Sequence, residues 1–180
     1  MKKFMVLLGA VCCCCFLQTG YAQTNNFGAQ AQQMQPGQPA EQAQQYQSAP
    51  QVPEMKGIRW YTNFQQAAND ARQSQKPMLL FFTGSDWCGW CKKIQQEVFS
   101  NSDFARSVGG DFIFVEIDFP MNKQLPPDLA QQNAQLKRQF GITGYPTVII
   151  LDSQQNIIAE TGYRAGGGRA YADYLKQFVQ

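Results

Sequence analysis

Runs of apolar residues alternate with segments of helical periodicity over the C-terminal two thirds of the chain. A continuous apolar run at 78–82 is typical of a strand buried on both faces of a sheet, and the apolar segment 112–117, interrupted only by Glu116, predicts a second buried strand. Shorter apolar runs predict an edge strand at 58–61 and two further strands at 147–151 and 156–161, the last two separated by a turn. Five strands are therefore predicted.

Helical spacing fills the segments between these runs. Asn63 predicts a helix start with Gln66 as its capping partner, and Pro127 predicts another that ends at Gly141. A helix is expected from Cys88 through Val98, and a short one over 104–108 capped by Asn101 or Ser102. The last helix is predicted from aromatic and leucine residues at i, i+3, i+4 and i+7, namely Tyr171, Tyr174, Leu175 and Phe178. The order of elements predicts an α/β fold with a central mixed sheet and helices on both faces.

The N-terminal third of the chain has a different composition. Residues 1–22 combine two lysines, an apolar run and small residues before a cleavage site, which predicts a secretory signal peptide. An uncleaved anchor and a lipoprotein signal are the alternatives. Residues 23–57 are rich in Gln, Ala and Pro and poor in branched aliphatics, which predicts a disordered linker. The folded domain is therefore expected to cover residues 58–180.

Charge and composition exclude several classes of function. The 15 Lys and Arg residues against 13 Asp and Glu give a net charge of +2, too balanced for an electrostatic nucleic-acid binder. The chain contains no histidine, which excludes catalysis by histidine, a Cys–His nucleophilic pair and any histidine metal ligand. Cleavage of the signal peptide would remove four of the six cysteines and leave Cys88 and Cys91.

The pair Cys88 and Cys91, separated by Gly89 and Trp90 at a predicted helix start, carries the candidate chemistry. Unsatisfied backbone N–H groups and the helix dipole stabilise a thiolate at that position, so Cys88 is the expected nucleophile. Cys91, one turn further along, is the expected resolving thiol. Trp90 is expected to be exposed and to offer apolar contact to a substrate, whereas Trp87 is expected to pack on the core.

Two other interpretations of this pair stay open. A CxxC motif is half of a zinc site, but a mature chain without other Cys or His would need a dimer to complete four ligands. An inert structural disulfide is the second alternative.

The motif Trp87-Cys88-Gly89-Trp90-Cys91-Lys92 and the later segment 142–147, which reads Ile-Thr-Gly-Tyr-Pro-Thr, resemble the active site of the thioredoxin superfamily. Within it the chain is similar to exported Dsb-type thiol–disulfide reductases. The resemblance covers residues 58–180 and implies a thioredoxin-like fold. It further implies that Pro146 is cis and faces the cysteines, and that Tyr145 borders the substrate groove.

The chain also departs from ordinary thioredoxin. Phe82 stands where thioredoxin has a buried aspartate that helps to move protons. Glu116 alternates with Phe112 and Phe114, so it is a candidate replacement for that acid, the alternative being an exposed carboxylate at a strand end.

These observations predict a periplasmic thiol–disulfide oxidoreductase, more specifically a disulfide reductase, that needs no bound cofactor or metal. Its expected partners are exported disulfide-containing proteins and a membrane electron donor of the DsbD type, without nucleic acid and without membrane insertion after processing. Two alternatives remain: an oxidase or isomerase on the same fold, and a non-catalytic module that binds peptides or metals. Reductase is favoured because no histidine accompanies the cysteines, as it does in strongly oxidising members.

Overall fold

The computed structural model describes residues 57–179. The predicted signal peptide and nearly all of the predicted linker lie outside the described residues. The strands are β1 (Trp60–Tyr61), β2 (Met78–Thr83), β3 (Ile113–Asp118), β4 (Thr147–Leu151) and β5 (Ile157–Thr161). The helices are α1 (Phe64–Ser74), α2 (Gly89–Ile94), α3 (Ser102–Val108), α4 (Pro127–Gln139) and α5 (Gly167–Leu175). A π-helical turn, Gln95–Phe99, follows α2, and a 3-10 turn, Lys176–Phe178, follows α5.

The strands form one mixed sheet in the order β1-β3-β2-β4-β5. β1 and β2 both pair in parallel with β3, whereas β4 runs antiparallel to β2 and to β5. Every residue of the central strand β2 is buried, as its continuous apolar run predicts. The predicted mixed sheet with helices is confirmed.

Alternate residues of the central strands face two separate core layers. Leu79 and Phe81 belong to the layer that contains both cysteines, and Leu80 and Phe82 belong to the opposite layer with α1. Because side chains on a strand alternate between the two faces, the sheet separates the active-site side of the molecule from the other side.

Two helix ends follow the capping chemistry expected from the sequence. Asn63 caps α1, and its side-chain oxygen accepts a hydrogen bond from the Gln66 N–H at 2.8 Å. At the end of α4, Gly141 has a φ of 63°, and the Ile142 N–H donates to the Lys137 carbonyl at 2.9 Å. Glycine suits this left-handed position because it has no Cβ.

The expected single α-helix from Cys88 through Val98 is wrong in two respects. Cys88 is the N-cap residue and the helix begins at Gly89, and from Gln95 onward the chain takes π-helical geometry. The Ser100 N–H accordingly donates to the carbonyl of Gln95, at 2.8 Å. The consecutive residues Val98 and Phe99 of this turn are both fully buried.

Candidate active site

Cys88 and Cys91 form a disulfide at the start of α2, with their Cα atoms 5.2 Å apart. Cys88 has extended backbone dihedrals, and as the N-cap residue it stands where the helix offers unpaired N–H groups. The Cys91 N–H donates to the Cys88 sulfur at 3.2 Å. This N–H and the positive end of the helix dipole stabilise negative charge on the Cys88 sulfur once the disulfide is reduced.

The two sulfur positions differ in access to solvent. Cys88 is 6% exposed, whereas Cys91 is fully buried in the core layer beneath it. Of the two sulfur atoms, that of Cys88 is therefore the more accessible from solvent.

The Tyr145–Pro146 peptide bond is cis. Tyr145 is half-buried and packs against both core layers. Its ring meets the ring of Trp87, the residue before Cys88, with the centroids 5.7 Å apart. The loop before β4 and the cysteine motif are therefore in direct contact.

The two tryptophans beside the cysteines differ less in exposure than the sequence predicts. Trp90 is 58% exposed, as expected, but Trp87 is also 42% exposed. Trp87 does not pack in the core: its ring lies over Gly84, and its Nε1–H donates to the Phe119 carbonyl at 2.8 Å. This hydrogen bond fixes the ring at the surface.

The loop before the cysteines is held by two aspartates that sequence reasoning did not identify. Asp118, at the end of β3 and 8% exposed, accepts from the Ser85 N–H at 2.9 Å and from the Ser85 hydroxyl at 2.7 Å. Its second oxygen also pairs with Lys123 at 2.9 Å. Asp86 accepts hydrogen bonds from the N–H groups of Met121 and Asn122.

Glu116 lies on the sheet face that carries the cysteines. It stands opposite Phe81 in the β2–β3 register, and Phe81 belongs to the core layer of Cys88 and Cys91. Burial, together with the nearby charge of Asp118, raises the pKa of Glu116 to about 7, against the opposing effect of Lys123. A carboxyl group with such a pKa can both hold and release a proton near neutral pH.

A second set of residues that sequence reasoning did not identify surrounds Trp90. The Tyr163 ring lies 5.3 Å from the Trp90 ring, and the Tyr163 hydroxyl donates to Glu97 at 2.6 Å. Glu97 also pairs with Lys93 at 2.9 Å. Glu97 belongs to the π-helical turn, and Tyr163 follows β5, so no local pattern in the sequence connects them.

Comparisons of this chain with known proteins agree with the geometry of the site. Residues 64–178 match the family model of a thioredoxin-like domain. The disulfide bond reductase DsbH of Chlamydia pneumoniae is 37% identical over 123 residues, which are 68% of this chain and 74% of that protein. The thioredoxin-related protein DsbJ of the same organism is 33% identical over 105 residues, 58% of this chain and 30% of that protein.

A solved structure of a DsbH oxidoreductase superposes with a TM-score of 0.64 at 33% identity, covering 77% of this chain and 96% of that one. The chain therefore belongs to the thioredoxin-like family. Its activity class is that of a thiol–disulfide oxidoreductase. Within residues 57–179, no helix has the length and apolar character that a membrane crossing requires.

Proposed function

We propose that this protein is an exported disulfide reductase that acts in the periplasm through Cys88 and Cys91. The observation that carries the proposal is the asymmetry of the pair: a slightly exposed sulfur at a helix N-cap, backed by a fully buried one. The similarity to a relative named disulfide bond reductase supports the direction of the reaction.

In the proposed reaction the Cys88 thiolate attacks one sulfur of a client disulfide. The client S–S bond breaks, a mixed disulfide forms, and the leaving client sulfur takes up a proton. The Cys91 thiolate then attacks Cys88, which releases the second client thiol and forms the Cys88–Cys91 disulfide. Two electrons have passed to the client, and the protein is left oxidised, the state in which the structure holds it.

The neighbouring residues have supporting roles in this proposal. The cis Pro146 lacks an N–H and, with Tyr145, borders the groove for an extended client segment. Trp90, 58% exposed, offers apolar contact to the client. Glu116 accepts the proton that Cys91 loses before its attack, since burial raises the pKa of Glu116 to about 7.

Continued reduction in an oxidising compartment requires a source of electrons. The similarity to Dsb-type reductases favours a membrane electron donor of the DsbD type, and exported proteins with disulfides are the proposed clients. The thiols carry the electrons, so the proposed reaction uses no bound cofactor. Residues 1–22 are the proposed signal peptide for export.

Insulin reduction with dithiothreitol as the electron source tests the reaction. Wild-type protein should accelerate insulin precipitation, Cys88→Ser should abolish the acceleration, and Cys91→Ser should accumulate a mixed disulfide with insulin. Equal rates for wild type and Cys88→Ser would contradict the proposal.

Equilibration with glutathione tests the direction. A reductase should have a potential near that of thioredoxin, about −270 mV, whereas a value near −120 mV would indicate an oxidase.

A further inference from the structure

Two aromatic groups flank the cysteine motif, and a lysine lies over each. The Trp90 flank consists of Trp90 and Tyr163, with the Lys93 ammonium 6.0 and 5.4 Å from their ring centroids. The Tyr145 flank consists of Trp87, Tyr145 and Phe119, and the Lys137 ammonium lies 5.2 Å from the Tyr145 ring centroid and 5.5 Å from that of Phe119. The two flanks are thus built alike.

The flanks differ in charge. Glu97 neutralises Lys93 on the Trp90 flank, at 2.9 Å. Lys137 has no carboxylate partner among residues 57–179; its recorded side-chain contacts are with two aromatic rings. A cation–π contact positions an ammonium group without cancelling its charge. The Tyr145 flank therefore presents an uncompensated positive charge at the rim of the proposed groove.

The acidic residues of the loops beside the motif are already engaged. Both carboxylate oxygens of Asp86 accept backbone N–H groups, and Asp118 binds Ser85 and Lys123. Lys92 adds a further cation, whose ammonium donates to the Asp86 carbonyl at 2.9 Å. No free carboxylate on these loops competes for Lys137, so a partner is the natural source of its counter-charge.

The Lys137 ammonium is also close to the path of a bound client. Tyr145 precedes the cis proline that borders the groove, and its ring touches Trp87, the neighbour of Cys88. An extended segment advances about 3.3 Å per residue, so a residue within a few positions of the client cysteine reaches this ammonium.

We infer that Lys137 is a specificity-determining residue, which selects clients with an acidic side chain within about four residues of the reactive cysteine. This inference rests on the proposed function. Two rings hold the ammonium in place, which lowers the entropy lost when a carboxylate pairs with it. The preferred client is therefore an extended, acidic segment of an exported protein.

The test uses disulfide-linked peptide substrates with Glu, Gln or Lys at each of the four positions on either side of the cysteine. With the full-length protein, Glu should lower KM about three- to fivefold relative to Gln at one or more positions, with little change in kcat. High salt should weaken this preference. Lys137→Gln should abolish it, Lys137→Glu should reverse it in favour of Lys peptides, and Lys137→Arg should retain it.

Arg138→Gln, one position along α4 and exposed, is the matched control and should leave the ranking of peptides unchanged. Identical rankings for wild type and Lys137→Gln, with reduction still dependent on Cys88, would overturn the inference and leave the proposed function standing. Absence of any Cys88-dependent reduction, with any peptide, would overturn both.

Discussion

Glu116 is a carboxyl group on the sheet face of the cysteines, and its protonation is coupled to folding. Burial raises the pKa of Glu116 from an ordinary 4.5 to about 7. Below pH 4.5 the Glu116 carboxyl holds its proton in both the folded and the unfolded state. Its contribution to the free energy of unfolding is then fully present. As the pH rises toward 7 the unfolded state loses its proton first, so stability falls, and above that pH the loss is complete.

Glu116→Gln should remove this dependence, because glutamine stays neutral at every pH. Each tenfold change in proton affinity corresponds to about 1.4 kcal/mol. After allowance for partial exposure of the carboxyl, the free energy of unfolding of the variant should exceed that of wild type by on the order of 2 kcal/mol at about pH 8. At about pH 4 the two should differ little. Urea unfolding at a series of pH values measures the difference.

The exposed acid Glu160, on β5, provides the control for this measurement. Glu160→Gln should leave the slope of stability against pH unchanged. A stability difference between wild type and Glu116→Gln that stays constant from about pH 4 to 8 would show that Glu116 titrates normally. The proposed role in proton transfer adds a second expectation: insulin reduction by Glu116→Gln should slow even though the variant is more stable.

The reactive pair could be predicted from the sequence because its chemistry is local. Two cysteines in one helical turn after a buried strand define the motif without further information. The part played by Asp86 could not be predicted, since its partners Met121 and Asn122 lie 35 and 36 residues away. Nor could the contact of Tyr163 with Glu97, 66 residues apart. Such contacts depend on how loops meet, which periodicity does not encode.

At the scale of elements, two loops are joined beside the active site. The loop from β2 to α2 carries Ser85, Asp86 and Trp87, and the end of β3 and the segment after it carry the groups that bind them. Asp118 is the most buried member of this junction, at 8% exposure. The position of the cysteine motif therefore depends on β3 as well as on its own helix.

Asp118→Ala should loosen this junction. The substitution removes the acceptor for the Ser85 N–H and hydroxyl and leaves Lys123 unpaired, at a cost of about 1–3 kcal/mol. Asp118→Asn keeps an acceptor oxygen and should therefore lose less stability than Asp118→Ala. The midpoint of urea unfolding measures both variants.

Asp173→Ala is the control for the loss of a charge, since Asp173 is 54% exposed and pairs only with Arg169 among the contacts described. It should change stability by no more than about 0.5 kcal/mol. If Asp118→Ala proved as mild as Asp173→Ala, the junction would contribute little to the fold.

Most elements follow from the sequence because their signals are short-range. Capping by Asn63, the apolar run of β2 and the glycine at position 141 each predict their own boundary. The π-helical turn Gln95–Phe99 was not predicted, because the spacing of Cys91, Ile94 and Val98 fits a continuous α-helix. The wider turn is a property of the folded chain that this spacing does not encode.

At the scale of the whole molecule, the redox state of the pair and the stability of the fold are linked. A protein whose native state favours the disulfide is harder to reduce when folded than when unfolded, so its oxidised form is the more stable one. A strong oxidant shows the reverse, because its reduced form is stabilised. For this two-electron couple, a difference of 30 mV corresponds to about 1.4 kcal/mol.

If the protein is a reductase, the oxidised form should therefore be more stable than the dithiol form by at least about 1.4 kcal/mol. The sign of this stability difference follows from the proposed direction of electron flow. A dithiol that readily gives up electrons belongs to a fold that is more stable with the disulfide formed. Urea unfolding of the full-length protein with and without dithiothreitol measures the difference. The variant with both Cys88→Ser and Cys91→Ser should unfold at the same urea concentration in both conditions, which controls for effects of the reductant. A dithiol form more stable than the disulfide form would contradict the reductase direction and favour an oxidase on the same fold.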